Sequence, residues 1–144
     1  PIGLSTLGTY WTSYVAAIAG TANLRALQVI GSAPYNPRGG PVTAQVTFVF
    51  SNSGDINLTQ PFVVSVYDGA NNQLLYTTTV NGLPGCGRTA AVRFAWPNLN
   101  PGYHPLLAVL DPQGQIAEAT KSDNQVSGGV LVGTNWNFLP FLGH

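Results

Sequence analysis

The sequence predicts an all-β protein: an antiparallel sandwich of about seven strands with an apolar extension at each end. Three observations carry this. Apolar and polar residues alternate with period two in several short runs. Clusters of Gly, Pro, Asn and Asp separate those runs at intervals of about 8–12 residues. The stretch from Gly102 to Val132 is the most telling. Its apolar pattern ends at Asp111-Pro112-Gln113-Gly114 and resumes at Ile116-Ala117-Glu118. It then passes through Lys121-Ser122-Asp123-Asn124 into a final apolar run. This reads as strand, tight turn and returning strand.

The elements follow in order. Leu24 to Ile30 is a first strand, and Pro34 to Pro41 is a loop dense in breakers. Val42 to Phe50 alternates cleanly, so Val42, Ala44, Val46, Phe48 and Phe50 share one inward face. Asn52-Ser53-Gly54-Asp55 turns the chain. Phe62 to Tyr67 is a third strand, and Asp68 to Asn72 joins it to a fourth, Gln73 to Val80. After Asn81 to Gly85, Thr89 to Trp96 is a fifth, with Val92, Phe94 and Trp96 inward. Tyr103 to Leu110 and Val126 to Val132 complete the set. Pro105 cannot donate a ladder bond, so it is expected at a strand start or on an edge. Gly39-Gly40 reads as a turn and Gly128-Gly129 as a bulge. Two sheets packed face to face satisfy this pattern, an Ig-like or fibronectin-III-like sandwich.

Composition narrows the function. A chain of 144 residues suits one domain plus extensions. Five basic and five acidic residues cancel, so no basic field attracts nucleic acid. So little charge also leaves little repulsion between copies. No apolar run approaches the roughly 18 residues of a membrane span. The chain contains no methionine and starts at Pro1, which reads as a removed signal peptide and a secreted, cell-surface protein. Cys86 is alone and reads as an unpaired loop thiol.

The residues from Ala22 to Val132 resemble the CARDB-type domain, an Ig-like cell-adhesion-related module of bacterial and archaeal surface proteins. The matching pieces are Ala22-Asn23-Leu24, Val46-Thr47-Phe48 leading into Asn52-Ser53-Gly54-Asp55, and Val64 to Asp68. The turn Leu83-Pro84-Gly85 matches too. Above all, Asp111-Pro112, Ile116-Ala117-Glu118 and Asp123-Asn124 match. Ala119 to Ser122 is thinner in acids than the family's usual loop. The resemblance implies an extracellular spacer, adhesion or assembly unit, and it says nothing of the two flanks.

No catalytic group emerges, and no cofactor is expected. His104 and His144 are the only histidines, and neither lies in a motif that would hold a nucleophile and its base. Asp111, Glu118 and Asp123 are the only clustered acids. Calcium binding at the sandwich end is weighed against turn chemistry, which the Asp-Pro and Asp-Asn pairs favour. Glu118 with Lys121 reads as a solvated pair. Asn57-Leu58-Thr59 fits the glycosylation sequon in a loop.

Residues 1–21 form an N-terminal apolar extension, 22–132 the sandwich, and 133–144 a C-terminal aromatic extension. Both extensions lack Asp, Glu, Lys and Arg yet carry large apolar groups: Tyr10, Trp11, Tyr14, Val15 and Ile18 in front, Trp136, Phe138 and Phe141 behind. Such segments need cover, either from their own sandwich or from a second copy. Burying six aromatics is worth on the order of 10 kcal/mol, enough for assembly with a second copy by strand addition. The leading expectation is a secreted subunit that self-assembles into a filament or surface layer through these flanks. The alternative is a cell-surface adhesion module, or a carbohydrate- or protein-binding accessory module, of a larger secreted protein.

Overall fold

A computed structural model describes residues 22–118 and 122–133. They form β1 (Leu24–Ser32), β2 (Val42–Asn52), β3 (Phe62–Asp68), β4 (Leu74–Val80), β5 (Arg88–Leu99), β6 (Gly102–Leu110) and β7 (Gln125–Val132). The period-two runs and the breakers between them place all seven. β2 shows why: Val42, Ala44, Val46, Phe48 and Phe50 are all buried, while the residues between them face outward.

The strand order is β4-β3-β6-β7-β1-β2-β5. Two antiparallel layers, β4-β3-β6-β7 and β1-β2-β5, pack face to face as an Ig-like sandwich. The layers are not separate sheets, as the sequence suggested. A single parallel pair, Ile30 with Gly129, joins β1 to β7 and makes one wound ladder. On the far side, among the described residues, β4 and β5 are not paired as strands. There Tyr76 of β4 stacks on Phe94 of β5, with centroids 4.8 Å apart and planes 4° from parallel. At one end Trp96 of β5 meets His104 of β6 edge to face at 5.8 Å, tying the layers together.

Gly128 and Gly129 are not a bulge, since β6 and β7 pair in unbroken register through them. They are small because of what lies against them. A Cβ on Gly128 would collide with the backbone carbonyl of Val29, and one on Gly129 with the ring of Tyr103. Glycine is therefore what lets β7 reach β1. Gly39 does sit in a turn, with a φ of 73° and its N–H donating to Asn36 O at 3.0 Å.

Two further expectations need correction. Ile116 to Glu118 is not a returning strand. Glu118 makes only an isolated parallel bridge to Ala22, and the strand that returns along β6 is β7. Pro105 lies inside β6, between two neighbours. Its carbonyl accepts from Gly69 N at 2.9 Å, just past the last β3 pair, Asp68 with Leu106. A residue's N–H and C=O point to the same side of a strand, so the missing donor falls where the β3 ladder has already ended.

The core centres on Phe48, Phe50 and Phe62. Phe48 and Phe50 lie 5.3 Å apart, and Phe50 meets Phe62 edge to face at 6.0 Å. Phe48 is fully buried. Phe48→Ala is expected to lower unfolding free energy by about 3–5 kcal/mol, read by urea denaturation. A loss of under about 1 kcal/mol would show that this ring is not central to the core.

Candidate functional site

Two places concentrate chemistry. The first is the end of the sandwich where the β1 start, the β2 end and the loops after β4 and β6 converge. Asn52, the last residue of β2, is fully buried there. Its Oδ1 accepts from Asn23 N at 3.1 Å and Gly54 N at 3.0 Å. Its Nδ2 donates to Ile56 O at 2.9 Å and Leu83 O at 3.1 Å. One amide thus satisfies backbone groups of three loops. Leu58 and Leu83 exchange a reciprocal pair of backbone bonds beside it.

The three acids singled out in the sequence are brought to this same end, each engaged with protein N–H groups. Asp111, with a φ of 48°, accepts from Gln115 N at 3.0 Å and Ile116 N at 2.8 Å. That is the turn-forming role expected of an Asp before Pro. Glu118 accepts from Leu24 N at 2.9 Å and Asn124 Nδ2 at 2.6 Å. Asp123 accepts from Asn23 Nδ2 at 3.3 Å, and its carbonyl accepts from Ala26 N at 2.8 Å. Among the described residues no three His, Cys, Asp or Glu side chains gather as a metal-holding group. The Asp111 and Glu118 carboxylates act as clasps on the backbone, while that of Asp123 bonds the Asn23 side chain. Lys121 lies outside the described residues, so the Glu118–Lys121 pair does too.

The second place is an outward face around the β1–β7 junction. Tyr103 is 62% exposed, Leu131 51% and Ile30 50%. Register puts Ile30 opposite Gly129 and Tyr103 opposite Leu131, so all three surround Gly129. The Tyr103 hydroxyl donates to Gly128 O at 3.1 Å, which pins the ring over the glycine pair. Neither β6 nor β7 carries an Asp, Glu, Lys or Arg. The sequence alone does not reveal this patch, because Ile30 and Leu131 join Tyr103 only across strands.

The other candidates fall as follows. His104 is half-buried; its Nε2 donates to Asn100 O at 2.6 Å. Cys86 is exposed in the turn before β5. Asn57 is exposed, and its Oδ1 accepts from Gly85 N at 3.0 Å. That bond leaves out Nδ2, the atom to which a glycan is joined. Tyr10, Trp11, Tyr14, Val15, Ile18, Trp136, Phe138 and Phe141 lie outside the described residues. Among the described residues no helix is long and apolar enough to cross a membrane.

The CARDB family model matches residues 25–128. The chain belongs to the CARDB family. The fold agrees with solved domains of that family. One is the CARDB domain of a Pyrococcus furiosus protein, solved in complex with di-metal ions. It is 21% identical with a TM-score of 0.57, over 78% of this chain and 89% of that one. Another is a domain from Methanosarcina acetivorans whose parent protein is named for the cell surface. It is 20% identical with a TM-score of 0.60, over 80% of this chain and 95% of that one. No curated protein matches. In this CARDB domain Asp111, Glu118 and Asp123 accept hydrogen bonds from the segments that converge at this end.

Asn52 is the member of that arrangement with most to lose. Asn52→Ala takes the side-chain partner from two N–H groups and from the Ile56 carbonyl, while the Leu83 carbonyl keeps its bond from Leu58 N. It is expected to cost about 2–4 kcal/mol in urea denaturation, since unsatisfied buried groups cost roughly 1–3 kcal/mol each before relaxation. Asn52→Asp should be at least as damaging, because it turns a donor into a carboxylate facing two carbonyls. Either variant folding with wild-type stability would remove Asn52 from this role.

Proposed function

We propose that this CARDB domain is a non-catalytic accessory module of a prokaryotic cell-surface protein, and that it holds a neutral glycan. Family membership and the likeness to a domain of a cell-surface protein support the location. The Tyr103 patch supports the contact. A ring fixed before binding loses little entropy on contact, and its apolar face suits the C–H face of a sugar. The absence of charge on β6 and β7 fits an uncharged partner. This reading ranks above the filament subunit, whose case rests on flanks outside the described residues.

Affinity electrophoresis through gels containing neutral polysaccharides tests the proposal. At least one should retard the domain, and Tyr103→Ala should weaken that retardation by about 3–10-fold, the equivalent of roughly 0.5–1.5 kcal/mol for an aromatic contact. Equal retardation of wild type and Tyr103→Ala, or none by any glycan, would sink it. Antibody against the domain should also label intact cells of the source organism.

A further inference from the structure

The wound sheet leaves two edges, β4 and β5, and their sequences treat that exposure differently. β5 reads RTAAVRFAWPNL, so Arg88, Arg93 and Pro97 guard it against another strand. β4 reads LLYTTTV, with no charge, no proline and no glycine. Its residues are those that favour strands. A register shift at Val66/Tyr67 disturbs its start, but from Tyr76 to Val80 the pairing with β3 is regular. Among the described residues β3 is the one ladder partner of β4. Thr77 and Thr79 are exposed.

We propose that β4 pairs antiparallel with β4 of a second copy, centred on Thr77. The occupant follows from self-complementarity. A two-fold pairing puts each residue opposite its mirror position, so any charged residue near the centre would confront a copy of itself or of a neighbour. β4 has none. Centring on Thr77 sets Thr77 against Thr77 and Tyr76 against Thr78, pairs that favour antiparallel sheets. The chain's zero net charge adds no long-range repulsion. The two β4-β3-β6-β7 layers then become one eight-stranded sheet, and the unguarded edge disappears. This interface is separate from the Tyr103 patch and does not depend on the glycan reading.

Sedimentation velocity of the full chain at its highest soluble concentration is the test. Wild type should show twice the 15.1 kDa monomer mass. Thr77→Lys and Thr77→Glu should each sediment as monomers, because like charges then meet at the two-fold axis. An equimolar mixture of the two should restore the doubled mass. Thr77→Val should remain doubled, and far-UV circular dichroism should show every variant folded. A monomeric wild type, a doubled Thr77→Lys, or a mixture that stays monomeric each overturns the proposal. So does a doubled mass that vanishes on deleting residues 1–20 and persists in Thr77→Lys, because the N-terminal flank would then be the contact. Should Thr77→Lys not fold, Thr77→Arg mixed with Thr77→Glu repeats the charge test at the axis.

Discussion

The fold hangs on the close approach of β7 to β1. All seven strands have antiparallel neighbours of the kind that any pair of sheets would supply, but only the β1–β7 ladder contact makes one wall of two layers. It works because Gly128 has no side chain to strike the Val29 carbonyl. The contact is short, a single parallel pair at Ile30 and Gly129. Parallel pairing there is a consequence of topology, since β1 and β7 are first and last and run the same way. The neighbouring Gly129 leaves room for Tyr103 on the outside. One constraint on side-chain size therefore shapes both the closure of the sandwich and its exposed aromatic patch.

At one end of the barrel-like wall, buried polarity replaces apolar packing. Asn52, Glu118 and Asp111 each bond backbone groups of the loops that converge there. Buried polar groups are costly unless paired, so such a network stabilises one loop arrangement over others. Among the described residues, one carboxylate oxygen of Asp123 and the amide oxygen of Asn124 are buried without a hydrogen bond. The Asp111-Pro112, Glu118 and Asp123-Asn124 positions thus hold the fold at this end of the chain.

Much of this was legible in the sequence, for identifiable reasons. β2 was readable because Val42 to Phe50 alternates without interruption, and β3 and β4 because Asp68 to Asn72 is an unmistakable break. What escaped was set by contacts far apart in the chain. Ile116 to Glu118 has the composition of a strand, yet Asp111 uses its carboxylate to fold Gln115 and Ile116 back into a turn. Gly128-Gly129 looked like a local irregularity because the carbonyl that demands it belongs to Val29, nearly the whole domain away. Asn52 read as a turn residue, and nothing in its neighbours reveals that Leu83 needs its amide. The outward patch was invisible for the same reason, since Ile30, Tyr103 and Leu131 meet only once β1, β6 and β7 are side by side.

The core is shared by both layers, and the β4 edge and the Tyr103 face lie outside it. The central claim is that the β1–β7 seam holds the two layers together, and Gly128→Ala addresses it with one added methyl. Urea denaturation should show a loss of about 3 kcal/mol or more, at the upper end of what overpacking costs, because the obstacle is backbone. Stability within about 0.5 kcal/mol of wild type would mean that the seam tolerates separation and that each layer stands without it.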